Sequence, residues 1–182
     1  MLRKILVTAI ALMGCILAHG QIRTGSDAAS GNFVIGIDNY LKLSTASTGS
    51  AAFDFSTKGK AFKVITREGC VSVLESGAKT PVSVLESSEG MEEMIIGIHD
   101  FTNDRQPELV VALRGGESLM LDVLEYDGAG NWKSIGEISA SGQGVSECRI
   151  FRQVVTVDCA KGLYTWTYRG GKFQFRGSDG SR

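Results

Sequence analysis

The sequence holds few of the residues on which most enzymes depend. Of its 182 residues only two are histidine, His19 and His99, and no serine stands in a Gly-x-Ser-x-Gly pattern. His19 lies in the N-terminal segment that is predicted below to be a cleaved signal peptide, so any Ser-His-Asp or Cys-His arrangement would have to use His99, which directly precedes an acidic loop. Clustered His and Cys ligands for a zinc site are also missing. The composition therefore argues against catalysis, and we predict a protein that is not an enzyme.

Three further absences limit the classes of partner that this protein can have. Lys and Arg are dispersed, with no basic block interleaved with aromatic residues, and the formal net charge is only −1. After the first apolar run no other approaches the length of a membrane helix. The glycines punctuate turns and form no phosphate-binding loop before a helix. We therefore expect no nucleic-acid partner and no transmembrane segment.

The N-terminus has the pattern of a secretory signal peptide. A short basic start, Met1 to Lys4, precedes an apolar run from Ile5 to Ala18 that is too short to span a membrane. Small residues suit cleavage after Gly20, which assigns residues 1–20 to the signal. The alternative is a lipoprotein, because Leu12-Met13-Gly14-Cys15 partly matches a lipobox and would anchor the protein through Cys15. Both predict an exported protein, periplasmic or extracellular.

Export implies an oxidising compartment, where cysteines are first considered as disulfide partners. Cys148 and Cys159 flank the apolar stretch from Ile150 to Val157, which is typical of two short adjoining strands. A Cys148–Cys159 disulfide is the favoured pairing. Cys70 is then left as a small buried side chain in a strand, and its pairing with either of the other two stays open.

The rest of the chain is predicted as a flexible leader over residues 21–32 and a single β domain over residues 33–182. Alternating apolar segments are separated by turn residues every eight to twelve positions. One segment, Val71 to Ser76, is repeated verbatim as Val82 to Ser87, and the five residues between the copies suit a hairpin. A short helix capped by Asp38 and running through Tyr40 to Leu43 is the only helix considered.

The segment with the clearest chemistry is an oxygen-rich loop that runs into an apolar strand. Asp100, Thr102 and Asp104 occupy alternate positions, the carbonyl of Gln106 follows, and Glu108 comes two residues later. Hard cations such as Ca²⁺ are bound by oxygens at alternate positions of a tightly wrapped loop. The spacing predicts that these five residues can form a calcium site.

The same segment, His99 to Ala112, resembles the FG-GAP or VCBS repeat of integrin-like propellers, whose loop reads Asp-x-Asx-x-Asp-Gly-x-x-Asp before a hydrophobic strand. It departs from that pattern at Thr102, at Arg105 in place of the glycine, and at Glu108. The strands that follow the loop resemble one propeller blade, but a propeller needs four or more blades. The predicted fold is therefore all-β, either an antiparallel sandwich or a small, incomplete propeller-like sheet stack.

Arg105 leaves two interpretations of the loop open. The glycine position calls for a positive φ, which is unfavourable for a residue with a Cβ. The guanidinium of Arg105 also carries positive charge toward the cation site, where it could pair with Asp100 or Asp104 and replace the metal. The loop is thus either a calcium site or a metal-free turn held by Asx-type hydrogen bonds.

The C-terminal part alternates strongly and predicts a hairpin from Leu163 to Arg176. Tyr164, Trp166 and Tyr168 share one face of its first strand. Exposed, this row could stack on sugar rings or on a partner protein. Buried, it would pack the core through cross-strand aromatic pairs.

These patterns favour a non-enzymatic binding module of a Gram-negative bacterium, acting in the periplasm or at the cell surface. The first hypothesis is a protein partner, with the module serving as an inhibitor or as an immunity factor against a toxin. The second is carbohydrate or cell-wall binding through the aromatic row. The third is a hydrolase with a carboxylate pair such as Glu92 with Glu93, or Glu75 with Glu86.

Overall fold

The computed structural model describes residues 34–37, 40–44, 51–67, 69–86 and 90–179. The predicted signal peptide and leader lie outside the described residues. The described part contains fourteen strands and no helix, which confirms the all-β prediction. In chain order the strands are β1 (Val34–Gly36), β2 (Tyr40–Ser44), β3 (Ala51–Thr57), β4 (Lys60–Arg67), β5 (Cys70–Glu75), β6 (Val82–Glu86), β7 (Glu93–His99), β8 (Glu108–Gly115), β9 (Ser118–Tyr126), β10 (Trp132–Ala140), β11 (Val145–Phe151), β12 (Val154–Cys159), β13 (Gly162–Tyr168) and β14 (Phe173–Asp179).

Three antiparallel meanders of four consecutive strands make up the fold. Sheet 1 has the order β3-β4-β5-β6, sheet 2 contains β7 to β10, and sheet 3 contains β11 to β14. The two N-terminal strands extend the later sheets, because β2 pairs antiparallel with β7 and β1 pairs parallel with β11. The predicted hairpins are confirmed in β5 with β6 and in β13 with β14.

Sheet 2 is the middle layer of the stack and is buried on both faces. Side chains such as Ile96, Leu109 and Val111 pack in one core with Phe62 and Val64 of sheet 1. The intervening side chains of sheet 2 enter a second core with sheet 3. This second core includes Ile95, Val110 and Leu121 from sheet 2 and Val155 and Val157 from sheet 3.

This double burial explains the unbroken apolar run of β8, Leu109 to Leu113. A strand that faces water on one side alternates polar and apolar residues, whereas a strand covered on both sides does not. Each fully buried Val or Leu side chain contributes roughly 1.5–3 kcal/mol of transfer free energy. The run that follows the acidic loop is therefore the centre of the fold, and the loop is anchored at one end of it.

The stack is open, and its outward faces carry charged residues together with a few exposed apolar side chains such as Phe151. Asp54 and Lys63 alternate with the buried residues of sheet 1, while Glu147 and Arg149 lie on the outward side of sheet 3 and form an ion pair. No sheet of the described chain closes into a barrel. The structure is consistent with the predicted sandwich or incomplete propeller-like stack.

The last strand of each sheet contains a β-bulge. Val84 in β6 has no residue opposite it, because Val71 pairs with Leu85 and the next residue, Ser72, pairs with Ser83. The register shifts of β10 and β14 leave Ile135 and Arg176 without opposite residues in the same way. A bulge bends its strand and increases the local twist. All three sheets thus end in an irregular edge.

The Cys148–Cys159 disulfide was predicted from two adjoining strands, and both strands are present, but the bond is not formed. All three described cysteines are free thiols. The register pairs Cys148 with Val157 and Cys159 with Val145, so the two cysteines are diagonal neighbours. Diagonal residues lie about 7–8 Å apart at Cα, beyond the usual range for a disulfide. Burial also raises the pKa of the Cys148 thiol to about 12, so it is an unreactive core residue.

The helix considered near Tyr40 is wrong. Residues Tyr40–Ser44 form β2, in register with Glu93–Gly97 of β7. The free edge of the middle sheet supplies hydrogen-bond partners along the whole segment, and a short helix supplies fewer. Pairing with a distant strand therefore overrides the local capping signal of Asp38.

Candidate functional site

Six hairpin connections lie at the same end of the stack, which we call the turn end. They are the β3–β4, β5–β6, β7–β8, β9–β10, β11–β12 and β13–β14 connections. The amide N–H of Lys58, between β3 and β4, donates to the side chain of Gln106 in the acidic loop at 2.6 Å. On the other side of the loop, the His99 Nε2 atom lies 2.6 Å from the carbonyl oxygen of Arg152, between β11 and β12. The acidic loop is therefore the middle of three adjoining turns.

Within the loop, carboxylates accept hydrogen bonds from main-chain amides. The two oxygens of Asp100 accept from the N–H groups of Asp104 (3.2 Å) and Arg105 (2.9 Å). Asp104 in turn accepts from the N–H of Gln106 at 2.8 Å, as in an Asx turn. These bonds wrap the chain so that the side chains of alternate residues point toward its centre.

Glu108, the first residue of β8, is hydrogen-bonded to the first half of the loop. Its side chain is 2% exposed and accepts from the N–H of Phe101 at 2.6 Å and from the hydroxyl of Thr102 at 2.9 Å. Burial raises the pKa of Glu108, and the negative charge of Asp100 adds to the shift, while the two donors oppose it. Burial therefore disfavours the ionised form of Glu108, and a nearby cation would stabilise that form.

The structure brings together three of the five predicted ligands. Carboxylate oxygens of Asp100, Asp104 and Glu108 all lie within 4.8 Å of one another. The hydroxyl of Thr102 is directed at Glu108, and the amide oxygen of the Gln106 side chain is used by Lys58. The prediction employed the main-chain carbonyl of Gln106, which those contacts leave unused.

Arg105 takes the backbone conformation that its position predicted, with φ of 66°. Of the two interpretations left open, the one in which the Arg105 guanidinium pairs with Asp100 or Asp104 does not hold for the described chain, where its side chain forms no ion pair with either. The main-chain N–H of Arg105 binds Asp100 instead. Hydrogen bonding from the backbone therefore satisfies Asp100 and leaves the Arg105 side chain exposed.

Lys58 brings a second cation beside the loop, a contact that the sequence did not predict. Its ammonium group binds Glu125 at 2.9 Å, and Glu125 also pairs with Lys133 at 3.2 Å. The hydrogen bond to Glu125 raises the pKa of Lys58, and the charges of Asp104 and Glu108 add to the effect. The Lys58-Gly59-Lys60 sequence is typical of a turn, and nothing in it indicates a contact with a loop almost fifty residues away.

His99 is a structural residue of the loop. Its ring makes an edge contact with Phe101 at 4.6 Å between ring centroids, and Nε2 is engaged by the carbonyl of Arg152. The Phe101 ring is completely buried and contacts Phe173 and Tyr168 of sheet 3. These contacts fix the start of the loop to sheet 3.

The predicted aromatic row divides into two groups. Tyr168 packs against Phe101 and Phe173 near the turn end. Tyr164 and Trp166 lie nearly parallel at 6.3 Å, and both contact Phe175 of the neighbouring strand, which is 54% exposed. We call Tyr164, Trp166 and Phe175 the aromatic triad. The row is mostly packed against the second core, and Phe175 provides its exposed ring.

The carboxylate pairs considered for hydrolysis do not converge. Glu86 is opposite Cys70 at one end of the β5–β6 hairpin, whereas Glu75 is at the other end and binds Lys60 at 2.7 Å. Glu93 forms an ion pair with Arg114. An open groove of about 520 Å³ on the outward face of sheet 1 includes Glu75 in its lining, where Lys60 already neutralises it.

Comparisons with protein-family models, with curated proteins and with solved structures give no match. No described residue belongs to a helix with the length and apolar character needed to cross a membrane.

Proposed function

We propose that this protein is an exported, non-enzymatic binding module whose acidic loop binds Ca²⁺ and whose partner is another protein in the periplasm or at the cell surface. The observation that carries the proposal is the convergence of three carboxylates within 4.8 Å at the exposed end of a rigid stack. Loops positioned by a rigid scaffold are where binding functions concentrate.

The oxygen geometry suits calcium. Ligand oxygens lie 2.3–2.6 Å from Ca²⁺, so oxygens of one site are separated by up to about 5 Å. Asp100, Asp104 and Glu108 meet this condition. Thr102 and the Gln106 carbonyl belong to the same predicted ligand set. The affinity expected of extracellular modules is about 10⁻⁴ M.

Bound calcium would offset the unfavourable burial of the Glu108 charge and its repulsion by Asp100. At about millimolar calcium, a site of that affinity adds roughly 1–1.5 kcal/mol to the free energy of unfolding. The loop is hydrogen-bonded to the turn of sheet 1 through Gln106 and to the turn of sheet 3 through His99. Bound calcium would therefore also stabilise these two contacts.

Support for a binding role rather than catalysis comes from His99. It is the one histidine in the described part of the chain, and its Nε2 atom is occupied by a main-chain carbonyl. Export rests on the basic and apolar pattern of residues 1–20, with the lipid anchor through Cys15 as its alternative. An inhibitor or toxin-immunity factor is the class of protein that this combination fits.

The test is the melting temperature of the secreted domain in chelator and in millimolar calcium. We expect a rise with calcium that is lost in Asp100→Ala and in Asp104→Ala. Asp127→Ala is the matched control, because Asp127 lies in the neighbouring β9–β10 turn and accepts main-chain N–H groups in the same manner. A melting temperature that ignores calcium would refute the metal site.

A second candidate function is carbohydrate or cell-wall binding, and the aromatic triad favours it. The triad presents the exposed Phe175 ring beside Trp166, and the Tyr164 hydroxyl contacts the Gln143 side chain at 3.2 Å. Sedimentation with insoluble peptidoglycan should then depend on Phe175, with exposed Phe151 on the opposite face as the control. Equal binding by Phe175→Ala and Phe151→Ala would exclude this role.

A further inference from the structure

Strained backbone in the described part of the chain is concentrated at the turn end, and it coincides with positive charge. Four non-glycine residues have positive φ: Lys58 (48°), Asn103 (61°), Arg105 (66°) and Arg152 (54°). Three of the four are cations. Each cation lies in the first hairpin connection of a different sheet, Lys58 in sheet 1, Arg105 in sheet 2 and Arg152 in sheet 3.

Positive φ is unfavourable for residues with a long side chain, and hairpins ordinarily place glycine or asparagine there. Lys58 and Arg152 are each the first residue of a two-residue turn, where that preference is strongest. Arg105 occupies the position of the expected loop glycine. A glycine at any of these sites would remove the strain, so the charged side chain is retained at a cost in stability. Strained residues of this kind cluster at functional sites.

The charge of the turn end supports an interaction. Five cations of its connections are exposed and have no carboxylate within 4 Å among the described residues: Lys79, Arg105, Arg152, Arg169 and Lys172. Most of the carboxylates beside them are already engaged. Asp100 and Asp127 accept main-chain N–H groups, and Glu125 bridges two lysines.

We propose that the turn end is a docking surface for an acidic face of a protein partner, with Arg105 and Arg152 as its principal contacts. The inference rests on the proposed protein-binding function and names the chemistry of the partner. Stacked sheets lie about 10 Å apart, so the strained turns hold cations at fixed intervals across the stack. Arg152 is further held by its own neighbour, because the guanidinium lies 5.3 Å from the centre of the Phe151 ring.

A polypeptide partner explains this surface better than a lipid surface. Exposed Asp104 and Asp127 stand among the cations, and a flat anionic headgroup layer would be repelled by them. A polypeptide, folded or flexible, can place its carboxylates opposite the arginines and keep them away from the aspartates. Such complementarity of mixed charge gives specificity and a fast association rate.

The experiment measures binding of a synthetic glutamate-rich peptide by titration calorimetry at low salt in chelator. The variant is Arg105→Gly combined with Arg152→Gly, which removes both charges and relieves both strained positions. We expect it to melt at or above the temperature of the unmodified protein, and to bind the peptide about threefold to tenfold more weakly. Lys161→Ser is the matched control, because Lys161 is an exposed cation in the β12–β13 turn at the opposite end.

Three outcomes would overturn the proposal. The glycine variant could unfold more easily, which would make the arginines structural. Peptide binding could be absent, or equal in the variant and in Lys161→Ser. Vesicles of phosphatidylglycerol could bind more tightly than the peptide, which would assign the surface to lipid. Because chelator is present throughout, peptide binding that depends on these arginines supports the surface even if calcium leaves the melting temperature unchanged.

Discussion

The packing of sheet 2 against sheet 3 requires a residue without a side chain at position 136. Gly136 in β10 faces the ring of Phe173 in β14, and a Cβ at Gly136 would lie 2.5 Å from the Cδ2 atom of that ring. The ring has little freedom to retreat, because Phe101 and Tyr168 both contact it with centroids 5.1 Å away. Gly136→Ala must therefore move either the ring or the strand.

The cost follows from ordinary overpacking. Forcing one methyl group into a filled contact destabilises a protein by typically 1–3 kcal/mol. We expect about 2 kcal/mol for Gly136→Ala, which lowers the melting temperature by about 4–8 °C in a domain of this size. The acidic loop should be disturbed as well, since Phe101 is its second residue and packs on the displaced Phe173 ring.

Urea denaturation of four proteins measures the effect: the unmodified chain, Gly136→Ala, Phe173→Leu and the double variant. The smaller leucine should accommodate the added methyl group, so the double variant should lose less than the sum of the single losses. Glu137→Ala, at an exposed neighbouring position, is the control. Losses that simply add, or a Gly136→Ala loss below about 0.5 kcal/mol, would refute the assigned contact.

Three further predictions concern the loop and the turns. In chelator at neutral pH, Glu108→Gln should have a higher free energy of unfolding than the unmodified protein, because the raised pKa of Glu108 means that its ionised form disfavours folding. The difference should vanish as the pH falls through that pKa toward 4.5. In calcium, the unmodified protein should instead be the more stable of the two. The pKa of Asp127 is lowered to about 2 by hydrogen bonds, led by that from the Asn131 side chain. These bonds therefore stabilise the turn above about pH 4 and are lost as the pH falls toward 2. Hydrogen exchange should report the loss as a smaller protection factor for the Asn131 amide. Gly115→Ala should lower the free energy of unfolding measured in urea by about 1–3 kcal/mol, because its Cβ would overlap the carbonyl oxygen of Gly90. A neutral result would show that the loop carrying Gly90 moves aside.

Local pattern was sufficient to predict most strands and hairpins. The alternation in Val71 to Glu75 and in Leu163 to Tyr168 specifies one buried face, and the turn residues between the runs specify antiparallel pairing. The pairing of β2 with β7 and of β1 with β11 joins segments more than fifty residues apart. No short-range signal encodes such contacts, so the N-terminal strands were missed.

For the disulfide and the aromatic row, the outcome depended on strand register and on burial, which the local sequence does not specify. Two adjoining strands were correctly expected around Ile150 to Val157, but a bulge between Val145 and Glu147 and the position of the turn place Cys148 diagonally from Cys159. In the aromatic row, alternation correctly placed three rings on one face. It could not show that sheet 2 would cover most of that face.

The acidic loop was predicted in its spacing and only partly in its contacts. The carboxylate oxygens of Asp100, Asp104 and Glu108 converge because the loop wraps on its own amides, and that wrapping is a local property. The direction of the Arg105 side chain depends instead on where the backbone of a strained residue points it. The approach of Lys58 depends on the stacking of sheet 1 on sheet 2.

The bulges in β6, β10 and β14 bear on how this molecule behaves at high concentration. An open stack of three sheets has free strand edges, and a regular edge is a template on which a second chain can add a strand and begin to aggregate. Val84, Ile135 and Arg176 each interrupt the row of amides and carbonyls that such a chain would need to follow. These three edges are therefore poor templates for the addition of a further strand.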